Sequence, residues 1–119
     1  MVVGGVIGIL GIPLSGTEIG IALSIIALGS AIAFSWRPPE WVGLFLISGF
    51  AICHGYAHGT ALPAAADPAD FAIGFVIATG MIHVFGILVG LVLQKPMEGR
   101  LCRGLGAIVA VAGGYFLVP

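Results

Sequence analysis

The sequence predicts an all-α integral membrane protein, built as a compact glycine-rich bundle of four full transmembrane helices plus a partial N-terminal one. Of its 119 residues, 60% are hydrophobic and 8% are charged, and the mean hydropathy is +1.21. Soluble domains carry about 25% charged residues, so this chain could not cover a water-facing surface. The apolar residues form five segments, A to E, which we predict to be a single transmembrane domain over residues 1–119.

Segment A, residues 1–12, is apolar but too short to span a bilayer. At ~1.5 Å per residue it covers about 18 Å, whereas the hydrocarbon core is ~30 Å thick. We therefore expect either that an N-terminal portion precedes the chain or that segment A is a half-helix leaning on its neighbours. A turn follows at residues 13–17, where Ser15 or Thr17 is expected to cap the next helix.

Segments B to E each have about the length of one span, and we predict helices over residues 18–35, 41–59, 68–93 and 101–118. Trp36 and Trp41 flank the B–C loop, an arrangement typical of a membrane interface. At the start of segment D, Asp67 suits the N-cap and Pro68 the first helical position, while Asp70 favours the positive end of the helix dipole.

The basic residues predict the orientation of the chain in a bacterial inner membrane. Arg37 lies in the B–C loop, and Lys95, Arg100 and Arg103 lie around the D–E loop. If segments B to E each cross once, both loops share one side, which the positive-inside tendency makes cytoplasmic, with the C-terminus outside. No basic patch is present, which excludes a nucleic-acid partner and leaves the lipid bilayer as the expected surroundings.

The chain has 20 glycines, and several of them are spaced four residues apart. Small residues at that spacing let helix backbones approach closely where lipid supplies no hydrophobic drive for association. This spacing predicts tight helix packing at four pairs: Gly4/Gly8, Gly16/Gly20, Gly55/Gly59 and Gly86/Gly90.

The three histidines of the chain are the main candidates for function. His54 and His58 lie four apart near the end of segment C, so both fall on one helical face and could bind one metal ion. Alternatively, they lie near the outer interface and hydrogen-bond to water or backbone carbonyls. Polar groups at membrane depth are costly and tend to mark function, which favours the metal site.

His83 lies in the middle of segment D, deeper than the other two. It is either a further ligand, the next station for an ion moving inward, or a partner in a helix–helix hydrogen bond. Thr79, one turn earlier, could ligate the ion or orient His83. Cys53 is a soft ligand candidate, but it points about 100° away from His54 on an ideal helix and better suits a small buried hydrophobe.

Catalysis is not predicted. The sequence has no nucleophile–base arrangement, no phosphate-binding loop and no carboxylate pair at catalytic spacing. We therefore expect a protein that is not an enzyme. Cys53 and Cys102 are expected at different depths on different helices, too far apart for a disulfide, and hence as free thiols.

Two patterns in the chain carry a family resemblance. One comprises HGYAHG at residues 54–59, Leu62-Pro63, and residues 74–86 with Thr79 and His83; the other is GTEIGIALS at residues 16–24. They resemble the HupE/UreJ family of hydrogenase- and urease-accessory membrane proteins, which are regarded as nickel or cobalt permeases. The resemblance implies a transported or bound Ni²⁺ or Co²⁺ ion, captured by His54 and His58 and passed inward by His83.

The chain departs from the family pattern in two respects. The family motif usually reads closer to His-Gly-His-Ala-His-Gly-x-Glu, whereas this chain has Tyr56 at the middle histidine and Ala61 at the glutamate. Family members also carry an early span with His-Pro and Asp-His elements, and this sequence contains neither pair. The resemblance thus implies either a permease, or its C-terminal part, or a member that has lost its metal site and serves as a structural or accessory subunit of a larger membrane protein complex. A metal sensor or store is a third alternative.

Overall fold

The structure is a computed structural model that describes residues 1–62, 67–93 and 99–118. Within these ranges the regular elements are five α-helices, which confirms the all-α class. The helices are α1 (Val2–Ile9), α2 (Thr17–Ala33), α3 (Glu40–Thr60), α4 (Pro68–Leu93) and α5 (Arg100–Tyr115). The predicted loop residues 63–66 and 94–98, with Pro63 and Lys95, lie outside the described residues.

Helices α1 and α2 both end in a residue with left-handed backbone conformation. After α1 this is Gly11, with φ of 68°, and the N–H of Ile12 donates to the carbonyl of Ile7 at 3.2 Å. After α2 it is Ser35, with φ of 52°, and Trp36 N–H donates to the carbonyl of Ala31 at 2.8 Å. Both ends therefore form Schellman motifs, and the second ends α2 two residues before the predicted limit.

The starts of α2 and α4 differ in how they are capped. Neither Ser15 nor Thr17 caps α2, so that prediction is wrong: the N-cap is Gly16, with φ of 79° and no side-chain hydrogen bond. At α4 the Oδ1 of Asp67 accepts the backbone N–H groups of Ala69 at 2.8 Å and Asp70 at 3.2 Å. Asp67 is thus the predicted N-cap, because its carboxylate satisfies donors that lack helical partners.

Two helices among the described residues are long and apolar enough to cross a membrane. They are α3, with 21 residues, and α4, with 26, which extend about 32 and 39 Å. Helix α2 has 17 residues and α5 has 16, or about 26 and 24 Å. The structure therefore does not establish the predicted four full transmembrane helices. Helix α2 is shortened by the turn at Ser35, and α5 is ended by a turn after Tyr115.

Helix α1 lies against α3 in the same direction, with glycine on both sides of the contact. A methyl group built on Gly8 would lie 2.6 Å from the carbonyl oxygen of Tyr56, and one built on Gly4 would overlap the carbonyl of Ile52. From the side of α3, a methyl group built on Gly59 would overlap the carbonyl of Gly5. The predicted pairs Gly4/Gly8 and Gly55/Gly59 therefore pack on each other, backbone to backbone.

Helix α2 is central because it packs against both α3 and α5. Its inner positions are small: Ala22 is 1% exposed and Ser24 is 2% exposed. The buried Ser24 hydroxyl donates to the carbonyl of Ile21 at 2.6 Å, so it needs no partner from another helix. Against α5, a methyl group on Gly29 would lie 2.8 Å from the carbonyl oxygen of Gly106. This second glycine contact was not among the predicted pairs.

Helix α4 departs from the predicted compact bundle. It has no buried residue, and its contacts with other helices are few: a short part of α5, and His58 of α3 against Phe75. A methyl group on Gly86 or Gly90 would meet nothing within 4 Å, so the prediction of tight packing at this pair is wrong. A spacing of four residues between glycines permits close helix packing, but it does not determine whether another helix lies there. Helices α1, α2, α3 and α5 form the packed unit.

Most of the outer surface that the described residues form is apolar. Phe34 and Phe45 are each 77% exposed, and Met81, Ile82 and Phe85 on α4 are exposed as well. Water-soluble monomers do not present contiguous apolar surface on this scale. Such a surface suits the hydrocarbon of a bilayer, where backbone groups must be satisfied within helices.

Candidate metal-binding site

Helix α3 positions the first pair of histidines one turn apart. The ring of His54 is half-buried, and its Nδ1 lies 3.0 Å from the carbonyl oxygen of Phe50, four residues earlier. A carbonyl oxygen only accepts, so Nδ1 carries the proton and donates it. The neutral imidazole then has its lone pair on Nε2, the nitrogen that a metal ion would bind.

His58 is exposed, and its ring contacts α4. Its ring centroid lies 4.7 Å from that of Phe75, with the ring planes at 49°. It also lines an apolar cavity of about 60 Å³ between α1, α3 and α4, which Met1, Gly5 and Phe71 line as well. His58 therefore stands at the junction of three helices.

His83 repeats the arrangement of His54 on a different helix. It is exposed on α4, and its Nδ1 donates to the carbonyl oxygen of Thr79 at 2.7 Å. Of the two predicted roles for Thr79, the structure shows the orienting one, and the group that performs it is the backbone carbonyl. His83 likewise keeps its Nε2 lone pair for a partner.

The described residues do not bring the three histidines together. His58 meets α4 at Phe75, and His83 lies eight residues further along, a distance of about 12 Å on the helix axis. No group of three or more His, Cys, Asp or Glu side chains that could hold a metal ion occurs in residues 1–62, 67–93 and 99–118. The assignment of His54, His58 and His83 as metal ligands stays a prediction.

Comparison with known proteins identifies the family of the chain. The family described as HupE / UreJ protein matches residues 1–116. The chain belongs to the HupE/UreJ family. It is 36% identical to Protein HupE of Rhizobium leguminosarum bv. viciae over 115 residues, which cover 97% of this chain and 60% of that relative. The chain thus spans less than two thirds of the length of the curated relative, and no solved structure matches it significantly.

Within this HupE/UreJ chain, Tyr56 has a structural contact that sequence reasoning missed. Its hydroxyl oxygen accepts the backbone N–H of Leu14 at 3.2 Å and so ties the turn after α1 to α3. The two residues lie 42 positions apart. No local pattern in the sequence signals the bond, since it depends on how α1 docks on α3.

Cys53 and Cys102 are both free thiols, as expected, and neither joins the histidines. The Sγ of Cys53 lies 2.6 Å from a methyl group built on Gly20, so this side chain faces α2 and fills the space beside that glycine. Cys53 is therefore a packing residue in this chain. Two acidic residues, Glu18 and Asp70, are exposed in the first turns of α2 and α4.

Proposed function

We propose that this HupE/UreJ chain is a divalent-metal permease for Ni²⁺ or Co²⁺, or the C-terminal part of one, in the bacterial inner membrane. Family membership over residues 1–116 supports the description. The apolar outer surface and the lengths of α3 and α4 suit insertion into a bilayer. In this proposal α2 and α5 complete their crossings with the residues that flank them, which gives four spans.

In the proposed path an ion meets the histidines at successive depths. We take α3 and α4 to cross in opposite directions, with His58 nearest the outer side. Measured from His58 along the helix axes, His54 then lies about 6 Å and His83 about 12 Å deeper. Steps of this size allow an ion to exchange one imidazole for the next. Nickel and cobalt accept imidazole ligands, and the other ligands come from water, backbone carbonyls or further polypeptide.

One observation carries the metal role: His54 and His83 both have Nδ1 bonded to the carbonyl four residues earlier. This bond fixes the ring and the tautomer and leaves Nε2 for a ligand, as carbonyl partners do for metal-binding histidines.

The test is metal binding and uptake by the full chain with single substitutions. His58→Ala, His54→Ala and His83→Ala should each weaken Ni²⁺ binding by at least about tenfold, because each removes an imidazole ligand. Binding is measured by calorimetric titration in mild detergent, and uptake with radioactive nickel in vesicles. Met81→Ala, on the helix of His83, is the matched control and should leave both unchanged. Unaltered binding in the His58→Ala protein would overturn the assignment.

The second candidate function is a structural or accessory subunit of a larger membrane protein complex, in a family member that has lost its metal site. The contact of Tyr56 with Leu14 favours it, because the residue at the family's middle histidine serves the fold here. Mass spectrometry of the gently purified protein distinguishes the two functions. Stoichiometric nickel or cobalt supports the permease, whereas no metal with a fixed set of larger partners supports the subunit.

A further inference from the structure

A cavity of about 470 Å³ lies at the end of the molecule opposite His58, between the end of α2 and the start of α5. Arg37 and Arg103 line one part of it, and Leu28 and Ile32 line another. On α2, Leu28 lies about 7.5 Å along the helix axis before Ala33, whose carbonyl oxygen binds Arg103. The cavity is thus an elongated space with a basic end and an apolar wall.

Its basic end is held in place by the fold. The Nε of Arg103 donates to the carbonyl oxygen of Ala33, close to the last turn of α2, at 2.8 Å. That bond uses one of five guanidinium donors and leaves the two terminal amino groups for other acceptors. Arg37 is exposed and lines the same cavity, and no acidic residue is among the described residues that line it. Guanidinium groups bind phosphate oxygens bidentately.

Its apolar wall indicates what carries the phosphate. Leu28 is 50% exposed and Ile32 is 44% exposed, so the wall is open along the outside of α2. Trp36 also lines the cavity and is 54% exposed, at the position where an interfacial tryptophan would lie. A free phosphate ion gains nothing from an apolar wall, whereas a phospholipid places its acyl chain there.

We propose that this cavity binds an anionic phospholipid, with its phosphate between Arg37 and Arg103 and the first part of an acyl chain against Leu28 and Ile32. The proposal goes beyond metal transport. It requires only that the chain lies in a bilayer, so loss of lipid binding and loss of metal binding are separate results.

The experiment measures lipid selectivity at Trp36. Trp41→Phe leaves Trp36 as the single tryptophan of the full chain, which is reconstituted in phosphatidylcholine vesicles. Brominated phosphatidylglycerol and, separately, brominated phosphatidylcholine quench its fluorescence when they occupy the cavity. We expect phosphatidylglycerol to be preferred by about fivefold or more, since each basic residue near the surface contributes about that factor.

Two substitutions in the Trp41→Phe background test the residues. Arg37→Gln should lower the preference about fivefold, while Arg37→Lys, which keeps the charge, should keep most of it. Arg100→Gln is the matched control: it removes the same charge from the same end of α5, but Arg100 does not line the cavity, so the preference should change by less than twofold. Circular dichroism checks that each variant remains helical.

Three results would overturn the proposal. The first is an equal quenching by the two lipids in the parent protein. The second is an equal loss in the Arg37→Gln and Arg100→Gln proteins, which would assign the preference to diffuse charge. The third is removal of the preference by inorganic phosphate but not by chloride at the same ionic strength, which would make the ligand a free phosphate ion. Persistence of the preference in phosphate supports the lipid.

Discussion

His54 and His83 obtain their orientation from the helices that carry them. In both, the ring bonds to the carbonyl oxygen four residues earlier, Phe50 for one and Thr79 for the other. The spacing of His54 and His58 on one face was predictable from helical geometry. The contact of His58 with Phe75 was not, because it depends on where α4 lies.

Ser35 offers a test of backbone strain at a single residue. It holds φ of 52°, a conformation that costs a non-glycine residue roughly 1–2 kcal/mol. Ser35→Gly should therefore raise the free energy of unfolding by about 1 kcal/mol. The measurement is chemical unfolding in mild detergent, followed by circular dichroism.

The control for this change is Ser48→Gly, at an exposed position inside α3. Glycine there should lower the free energy of unfolding by about 0.5–1 kcal/mol, because the position is already helical. If both variants lose stability, the left-handed conformation at Ser35 carries no relievable strain.

Asp67 offers a second test, at the start of α4. Asp67→Ala removes the acceptor of two backbone N–H groups and should cost about 1 kcal/mol of stability. Asp67→Asn keeps an acceptor oxygen and should cost less than half as much. The same unfolding measurement ranks the two, and equal losses would show that the capping bonds do not stabilise α4.

At the scale of elements, the contact between α1 and α3 depends on the absence of side chains. Gly59→Ala would place a methyl group on the carbonyl of Gly5, which belongs to the backbone and cannot rotate away. The variant should lose about 1–3 kcal/mol of stability, as overpacked sites do. Thermal unfolding in detergent measures it.

Gly86→Ala is the matched control on α4, because the added methyl group meets nothing within 4 Å. Alanine has the higher helix propensity, so this variant should be unchanged or more stable by up to about 1 kcal/mol. A loss at Gly86 equal to that at Gly59 would contradict the glycine contacts described for these helices.

The sequence predicted where helices occur better than how they pack. The predicted segments 68–93 and 41–59 correspond to α4 (Pro68–Leu93) and α3 (Glu40–Thr60). Apolar length and turn residues determine those limits locally. Which glycines pack is a tertiary property: Gly55 and Gly59 have a partner helix, whereas Gly86 and Gly90, at the same spacing, have none.

At the scale of the whole molecule, two basic residues that are far apart in the sequence, Arg37 and Arg103, line the same cavity. That the B–C and D–E loops share a side of the membrane stays a prediction. The side itself is a matter for labelling. In a Cys53→Ser/Cys102→Ser background, Glu40→Cys should react with a membrane-impermeant maleimide only from the cytoplasm, and Ser15→Cys only from the outside.

This pair of positions is matched, since Glu40 and Ser15 are both exposed and lie at opposite ends of the packed unit. The opposite pattern of reaction would invert the topology, and reaction of both from one side would remove α2 as a membrane crossing. The same experiment therefore tests whether α2 is one of the predicted full spans.

Helix α4 combines two properties that have a mechanical consequence. It carries His83, and along its length it buries no residue. A sideways displacement of its first half would break the contact between Phe75 and His58, an aromatic pair of the kind that contributes about 0.5–1.5 kcal/mol beyond the area it buries. Thermal energy supplies that amount readily, so α4 can carry His83 away from or toward His54 and His58 without exposing a buried residue of its own.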